Sequence, residues 1–366
     1  MDKKVFGIDL GTTYSCVAYI DEHDMPVILK NAEDELTTPS VVHFESEKEI
    51  WVGAAAKENL KMYPDQVVDC IKRSMGQKGF SLNINGIDYR PEEISNYILQ
   101  KLVKDAVDRL REECKLGADE TVTDVVITCP AYFGLDEKNA TMEAGKMAGL
   151  NVLSIINEPT AAAIAYGVVN KDTDKTVLVY DLGGGTFDIT MIHIKPQEIR
   201  VVCTGGDHGL GGKDWDDRII MYLADEFKNR TGVTGNIEDD PEAYNELALS
   251  AERAKKLLSI KEKAPVSINF MGERARVELT REKFDEITMD LLERTIGLTE
   301  DMFAEAEKKG YKKSDVSEIL LVGGSSKMPQ VERRVKEAFN LPIMMFDPRP
   351  CGCEGCSNIR TGQKEI

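Results

Sequence analysis

The sequence predicts an α/β protein made of two similar halves. Two acidic glycine turns, residues 9–15 and 181–188, lie 172 positions apart, and each follows a short apolar run that is typical of a strand. Both halves also mix hairpins with alternating strands and helices. We therefore expect two related lobes with a cleft between them.

The elements of each half follow from the apolar patterning. Apolar runs bounded by turn residues predict strands at 4–7, 16–20, 27–30, 124–129, 152–157, 176–180, 188–194, 199–203 and 319–322. Apolar positions at helical spacing predict helices at 92–115, 135–148, 214–230, 243–258, 281–309 and 328–339. The polar stretch 172–175 would connect the two halves.

Length and composition set limits on the class of protein. The chain has 366 residues, of which 42% are hydrophobic, so it can form two or more domains with substantial cores. No apolar run approaches the roughly 18 residues of a membrane-spanning helix, and the N-terminus lacks the apolar region of a signal peptide. A formal net charge of -18 without a basic stripe argues against nucleic-acid binding. We expect a cytoplasmic protein that binds neither nucleic acid nor membrane.

The two glycine turns indicate the kind of ligand. Such turns expose backbone amides and threonine hydroxyls, which form a concave set of donors for phosphate oxygens. Asp9 and Asp181 end the preceding strands, and their carboxylates would repel a phosphate unless a divalent cation lay between them. The sequence therefore predicts Mg²⁺ and a nucleotide between the two halves.

Five motifs occur in an order known from one family. They read Ile-Asp-Leu-Gly-Thr-Thr-Tyr-Ser at 8–15, Pro-Ala-Tyr-Phe at 130–133, Asn-Glu-Pro-Thr-Ala-Ala-Ala at 157–163, Asp-Leu-Gly-Gly-Gly-Thr-Phe-Asp at 181–188 and Leu-Val-Gly-Gly-Ser at 321–325. From about residue 4 to 347 the chain resembles the ATPase domain of the seventy-kilodalton heat-shock chaperones, the DnaK-like family. The resemblance implies the actin-like ATPase fold, with lobe I at 1–171, lobe II at 172–348 and an aberrant segment at 349–366.

The resemblance assigns the phosphate and metal side of the cleft. ATP or ADP phosphates would be bound by residues of both turns: Gly11, Thr12, Thr13, Tyr14, Gly183, Gly184, Gly185 and Thr186. Asp9 and Asp181 would hold Mg²⁺ mainly through its water shell, because this ion loses its waters reluctantly. The loop 206–214 would be a helix entrance on this side, with His208 in a loop role and not as a ligand.

The catalytic residues are also carried over from the family. They are Lys72, Glu158, Asp181, Thr186 and Asp188. Lys72 would reach the γ phosphate and the attacking water, and Glu158, extended at a strand end before Pro159, would orient that water. Which residue acts as a general base is open. Pro130 and Glu158 would couple the bound nucleotide to lobe closure.

The adenosine would lie on a second group of residues. By resemblance these are Glu252, Lys255, Lys256, Ser259, Gly323, Gly324, Ser325 and Lys327. Lys256 and Lys327 stand where the family usually has arginine. Because a guanidinium stacks on a purine better than an ammonium does, we expect weaker adenosine binding.

The eight cysteines fall into two groups. Single cysteines among apolar or helical neighbours are expected to be reduced structural thiols: Cys16, Cys70, Cys114, Cys129 and Cys203. Cys351, Cys353 and Cys356 crowd near the end, but without a nearby fourth ligand a zinc site is not favoured.

Residues 349–361 depart from the family, which continues there with an acidic, alanine-rich helix. Synonymous codons for this segment can be chosen so that reading one base later gives Asp-Leu-Ala-Val-Ala-Lys-Gly-Ala-Ala-Ile-Tyr-Gly, the family's segment. We therefore hypothesise a base gained near Pro348, with the frame restored near Gly362, either in the gene or in its sequencing.

Together these features predict a conformational switch driven by ATP, with slow hydrolysis to ADP and phosphate. The resemblance implies J-domain proteins and nucleotide-exchange factors as partners, and client peptides bound only through a domain not found in this sequence. A small-molecule or sugar kinase of the same fold is the alternative, although no hydroxyl-activating acid or substrate pocket could be identified for it. A polymerising, actin-like protein is the third possibility.

Overall fold

The computed structural model of the protein describes residues 4–23, 25–60, 62–169, 174–195 and 198–345. The aberrant segment 349–366, with its frameshift hypothesis and Cys351, Cys353 and Cys356, lies outside the described residues. So do residues 172 and 173 of the polar connector.

The first lobe is built around a six-stranded sheet in the order β11-β10-β1-β2-β3, with β4 also paired to β2. The strands of this lobe are β1 (Phe6–Asp9), β2 (Tyr14–Ile20), β3 (Pro26–Leu29), β4 (Thr38–Pro39), β5 (Val42–Phe44), β6 (Ile50–Val52), β7 (Val67–Val68), β8 (Leu82–Ile84), β9 (Ile87–Tyr89), β10 (Asp124–Cys129) and β11 (Asn151–Asn157). Its helices are α1 (Ala54–Asn59), α2 (Pro91–Glu112), α3 (Leu135–Met147) and α4 (Glu158–Val169).

The second lobe is built around a five-stranded sheet in the order β14-β13-β12-β17-β18. Its strands are β12 (Lys175–Leu182), β13 (Phe187–Lys195), β14 (Glu198–Asp207), β15 (Lys263–Phe270), β16 (Glu273–Thr280), β17 (Val316–Val322) and β18 (Ile343–Met345). Its helices are α5 (Gly212–Thr231), α6 (Pro241–Leu258), α7 (Arg281–Ile287), α8 (Met289–Lys308) and α9 (Pro329–Phe339).

The two sheets have the same strand arrangement when the strand order of one sheet is read in reverse. β1 and β12 lie at the centre of their sheets, antiparallel to the strand that follows and parallel to a later strand, β10 or β17. Asp9 and Asp181 lie at the carboxyl ends of these central strands, so both acidic turns begin at equivalent positions. The predicted α/β fold in two similar lobes is confirmed.

Each lobe has its own hydrophobic core. In the first lobe, the apolar positions that predicted α2 are all buried: Ile94, Ile98, Leu102, Val103, Ala106, Val107 and Leu110. In the second lobe, Tyr180 of the central strand and Trp215 of α5 are fully buried. Both central strands are thus fixed by packing on their own lobe. Within the described residues, no helix has the length and apolar character needed to cross a membrane.

Some predicted elements were wrong in extent. The predicted helix 281–309 is two helices, α7 and α8, which meet at Thr288. The buried Thr288 hydroxyl donates to the Phe284 carbonyl at 2.7 Å and also contacts Gln330 of α9. Hydrogen bonds of the Thr288 side chain therefore stabilise the break between the two helices. The first strand begins at Phe6 and not at residue 4. The hairpins β5 to β9 and β15–β16 were not predicted.

The cysteines of the described ranges form no disulfide bonds with one another. Cys16, Cys129 and Cys203 are buried and Cys70 is half-buried, as expected for structural residues. Cys114 is exposed, because α2 ends before it and its backbone takes a left-handed φ of 56°.

Candidate active site

The first glycine turn connects β1 to β2 and is tightly constrained. The Gly11 amide donates to the Ser15 hydroxyl at 3.1 Å, and the Ser40 hydroxyl donates to the Gly11 carbonyl at 2.8 Å. A methyl group at Gly11 would lie 2.0 Å from the Tyr14 carbonyl oxygen. Only glycine therefore fits, and the turn is held in one shape.

The second glycine turn connects β12 to β13 and faces the first. A methyl group at Gly184 would lie 2.1 Å from the Thr13 hydroxyl oxygen, and one at Gly185 would lie 2.4 Å from Thr12 Cγ2. The missing side chains thus allow the two turns to touch across the cleft. The structure brings together the residues of both halves that were predicted to bind phosphate.

Helix α5 begins against the second turn, as predicted for the loop 206–214. The Gly212 amide donates to the Gly183 carbonyl at 2.9 Å, and the Lys213 amide donates to the Gly184 carbonyl at 2.8 Å. In the loop before this helix, the His208 ring lies 3.5 Å from that of Tyr132, measured between centroids. His208 therefore contacts the first lobe through an aromatic side chain.

Carboxylates from both lobes converge beside the turns. Burial and the charge of Glu158 raise the pKa of Asp9 to about 6 and the pKa of Asp188 to about 8. Burial, followed by the charges of Glu158 and Asp188, also raises the pKa of Asp181 well above its ordinary value. The protein alone thus holds more negative charge here than the buried surroundings favour.

Lys72 provides a cation among these acids. It lies in a short 3-10 helix, Ile71–Ser74, and its Nζ atom is 2.6 Å from Glu158 Oε1. Burial alone would lower the pKa of Lys72, but the charges of Glu158 and Asp9 raise it, so the ammonium stays protonated. Lys72 and Glu158, which were predicted to act together, form one buried pair. Glu158 is the first residue of α4, directly after β11.

The acidic group fits a divalent cation. One lysine does not balance four carboxylates, and Asp188 Oδ1 is buried with no hydrogen-bond partner in the part of the chain that the structure describes. Asp9 Oδ1, in contrast, accepts from the Thr128 hydroxyl at 2.8 Å. Surplus negative charge on oxygen ligands suits Mg²⁺. Among the described residues, no three or more such side chains are arranged to enclose a metal ion.

Tyr14 lies at the centre of a network between the lobes. Its hydroxyl donates to Glu252 Oε1 at 2.9 Å, and Lys57 Nζ lies 2.5 Å from Glu252 Oε2. Lys256 Nζ donates to the Tyr14 hydroxyl at 2.8 Å. The ammonium groups of Lys57 and Lys256 lie 4.9 and 4.8 Å from the centroid of the Tyr14 ring. Two predicted adenosine residues, Glu252 and Lys256, are therefore bound to the first lobe.

Lys255 and Ser259 complete the predicted set on α6. Lys255 Nζ lies 2.7 Å from Asp216 Oδ2 and donates to the Gly212 carbonyl at 2.6 Å. The Ser259 hydroxyl donates to the Lys255 carbonyl at 3.3 Å, where α6 ends. Lys255 is thus brought to the second turn, whereas Ser259 contacts the end of its own helix.

The third glycine motif follows β17, beside β12. Gly323 has a φ of +90°, and a methyl group there would lie 2.5 Å from Asp181 Oδ1. Next to it, Gly324 has no atom of the described residues within 4 Å of the position that a methyl group would take. Ser325 is buried, and Lys327 ends the short 3-10 helix Gly324–Lys327. The motif thus places Gly323 directly against Asp181 of the second glycine turn.

Several cleft residues were missed by sequence reasoning. Arg73 Nη2 donates to the Gly185 carbonyl at 2.5 Å, and Lys213 Nζ lies 2.9 Å from Asp69 Oδ2 on the other lobe. Lys57, in the Tyr14 network, was missed as well. Only Arg73 carried a signal, because it directly follows Lys72 in the sequence.

Comparisons with known proteins agree with this fold and site. The family model described as Hsp70 protein matches residues 5–345. The proteins named Chaperone protein DnaK from two strains of Halobacterium salinarum, ATCC 29341 / DSM 671 / R1 and ATCC 700922 / JCM 11081 / NRC-1, are each 42% identical to this chain over 341 residues. Those residues are 92% of this chain and 52% of each relative, so the chain spans about half the length of these curated relatives. The chain therefore belongs to the Hsp70 family, as its motifs predicted, and has the actin-like ATPase fold of that family.

Proposed function

We propose that this chain binds Mg-ATP between its lobes and hydrolyses the nucleotide slowly, as the nucleotide-binding part of a DnaK-like chaperone. The observation that carries the proposal is the meeting of two glycine turns beside the buried Lys72–Glu158 pair and three further carboxylates. Glycine turns bind phosphates, and a positioned lysine with acids is suited to phosphoryl transfer to water. Membership of the Hsp70 family supports the same function.

The two turns would bind the phosphates through their amides and through the hydroxyls of Thr12, Thr13 and Thr186. Asp9 and Asp181 would hold hydrated Mg²⁺, and the bound cation would neutralise phosphate charge. The proposed role of Mg²⁺ rests on the surplus of carboxylates beside the turns.

Lys72 would donate to the γ phosphate, and its position is set by Glu158 at 2.6 Å. The carboxylates of Glu158 and Asp188 would accept hydrogen bonds from the attacking water and so orient it. Burial and the charge of Glu158 raise the pKa of Asp188 to about 8 in the protein alone. A bound Mg²⁺ would favour the ionised form of Asp188, which is the form that can take a proton from the water.

Lobe closure would be coupled to the nucleotide through Pro130 and Glu158. Pro130 directly follows β10 and Glu158 directly follows β11, and these strands are parallel neighbours, so both residues lie at the same edge of the sheet. In this proposal the lobes comprise residues 1–171 and 172–348. Adenosine would lie by Gly324, and its affinity would be lowered by the lysines at 256 and 327.

The whole chaperone cycle is part of the proposal. Regulation by J-domain proteins and nucleotide-exchange factors, action on client peptides and a cytoplasmic location are expected for a DnaK-like protein. They rest on the likeness to the DnaK relatives, of which the chain spans about half the length.

The experiment is a single-turnover ATPase assay on the wild type, Lys72→Ala and Glu158→Ala, combined with equilibrium binding of ADP. The wild type is expected to release phosphate without any added acceptor. Both variants should lose at least tenfold in hydrolysis rate but keep nucleotide binding, because they act on the γ phosphate and the water. Lys78→Ala is the matched control, since this lysine is exposed and pairs only with Asp136 on the surface among its described contacts.

The outcomes separate this function from its alternatives. Unchanged turnover in both variants would remove the catalytic assignment. Phosphate release only with a sugar or other acceptor would indicate a kinase. Sedimentation of the protein only with nucleotide would indicate an actin-like filament.

A further inference from the structure

Two adjacent lysines of α6 point to different partners. Lys256 is 58% exposed in its side chain and contacts Glu252 and Tyr14, whereas Lys255 is 11% exposed and contacts Asp216 and Gly212. Consecutive helical residues are about 100° apart around the axis, so the two ammonium groups cannot replace each other. Lys255 is thus the inward-facing lysine of the pair.

The Lys255 ammonium lies where three glycine segments meet. It lies beside Gly212. A methyl group added at Gly212 would lie 3.0 Å from Lys255 Nζ, 2.3 Å from Ser325 Oγ and 3.5 Å from Gly184 Cα. Gly184 belongs to the second glycine turn, and Ser325 belongs to the third glycine motif. The ammonium therefore lies between the parts of the cleft proposed for phosphate and for adenosine.

The hydrogen bonds of Lys255 leave one donor for a ligand. A lysine ammonium has three N–H groups, and two of them are directed to Asp216 Oδ2 at 2.7 Å and to the Gly212 carbonyl at 2.6 Å. These are its partners in the described parts of the chain. With two bonds fixed, the direction of the third N–H is set by the protein.

The Lys255–Asp216 pair is poorly suited to a purely stabilising role. Burial raises the pKa of Asp216 to about 6 in spite of the nearby ammonium, and Asp216 Oδ1 is buried with no hydrogen-bond partner among the described residues. A buried pair of this kind recovers little more than its desolvation cost. What it does supply is a fixed position for the charge.

We propose that Asp216 is a positioning residue that holds Lys255 so that its third N–H meets a ribose hydroxyl oxygen of the bound nucleotide. Asp216 itself does not touch the ligand. The inference rests on the proposed nucleotide function, and it adds the residue that sets recognition of the sugar. Without Asp216, the Lys255 side chain would lose its only described anionic partner and would adopt several rotamers.

The test compares wild type and Asp216→Asn in binding ADP, 2′-deoxy-ADP and 3′-deoxy-ADP with Mg²⁺ by calorimetry, and in ATP turnover. The wild type should prefer ADP by about tenfold over the deoxy analogue that lacks the contacted hydroxyl, which is the usual effect of one hydrogen bond to a charged donor. Asp216→Asn should reduce this preference to less than threefold. It should also raise the KM for ATP by more than it changes kcat.

Asp225→Asn is the matched control, because it makes the same change at an exposed position of the same helix. Asp216→Glu keeps the negative charge and replaces Asp216→Asn in the test if that variant does not fold. Because the longer side chain moves the carboxylate, Asp216→Glu should also weaken the preference for ADP over the deoxy analogue. The proposal would be overturned if Asp216→Asn or Asp216→Glu kept the wild-type preference for ADP over the deoxy analogue. It would also be overturned if these variants lost affinity equally for all three nucleotides. Absence of nucleotide binding by the wild type would instead refute the proposed function.

Discussion

The acidic residues of the cleft fall into two groups: in one the charged form is disfavoured, and in the other it is stabilised. Asp9, Asp181 and Asp188 share one buried region, and their pKa values rise because burial and the charge of Glu158 favour the neutral forms. Glu252 lies between two lysines, so its charge is stabilised instead. The first situation calls for a ligand cation, whereas the second contributes to the stability of the protein itself.

Glu252 gives a prediction for pH dependence. Burial alone would raise the pKa of Glu252, but Lys57 and Lys256 outweigh it and lower this pKa to about 2, from an ordinary value of 4.5. A lowered pKa means that the unfolded state binds the proton more readily, so this stabilisation is present above pH 4.5 and is lost as the pH falls towards 2. A shift of this size corresponds to up to about 3 kcal/mol.

We therefore expect Glu252→Gln to lower the free energy of unfolding by about 1–3 kcal/mol at pH 7, and by roughly half of that or less at pH 3. Urea denaturation at several pH values measures the difference between the two proteins. Glu242→Gln, at an exposed position of the same helix, is the control. A difference that does not shrink on acidification would contradict the electrostatic explanation.

At the scale of elements, the glycines of two helices lie in opposite environments. Gly297 is exposed in α8, and in the part of the chain that the structure describes a methyl group there would meet no atom within 4 Å. Gly145 is buried in α3, and its methyl group would lie 2.4 Å from Val152 Cγ2 of β11. The intrinsic helical preference for alanine is the same at both positions, so packing decides the sign of each substitution.

Gly297→Ala is therefore expected to raise the free energy of unfolding by about 0.5–1 kcal/mol, because alanine loses less backbone entropy in a helix. Gly145→Ala is expected to lower it by about 1–3 kcal/mol through overpacking. Urea denaturation at neutral pH measures both changes. A shift in the same direction for the two variants would show that the neighbouring atoms do not control the outcome.

The elements could be predicted where the information is local. The alternating burial of β15, with Ala264, Val266, Ile268 and Phe270 inward, was readable in the sequence although it was not predicted. The break at Thr288 was not readable, because it involves Gln330, 42 positions away. The same limit applies to the site, where Lys57 and Glu252 are 195 positions apart. The glycine turns and Lys72 were found because short motifs surround them, whereas Asp216 and Lys57 depend on tertiary contacts alone.

At the scale of the whole molecule, separate groups of polar contacts join the two lobes. One is the Tyr14 network at α6, and another is the Lys213–Asp69 pair at α5. Between them lie the facing glycine turns. We expect release of a ligand from the turns to require opening of such contacts, so their strength should influence the rate of release.

The Lys213–Asp69 pair allows a direct test of this relation. Lys213→Asp would place two carboxylates together and is expected to speed ADP release several-fold, with a smaller effect at high salt because both side chains are 40% exposed. The double variant Asp69→Lys with Lys213→Asp restores opposite charges and should return the rate towards that of the wild type. Stopped-flow release of a fluorescent ADP measures it. If the double variant were as fast as the single variant, the pair would not hold the lobes together.

The final prediction concerns residues 349–361, which follow the last residue matched by the Hsp70 model, residue 345. With synonymous codons chosen for the purpose, a one-base shift would convert this segment into the sequence that the family carries, and such agreement over twelve residues is not expected by chance. If the base was gained in the sequencing, we predict that the protein isolated from its source organism lacks Cys351, Cys353 and Cys356. Of the eight cysteines, five would remain, and these are the cysteines at 16, 70, 114, 129 and 203. Thiol titration of the denatured protein should therefore give five, and its intact mass should match the shifted reading. A count of eight with the mass of the present sequence would show that the segment is genuine.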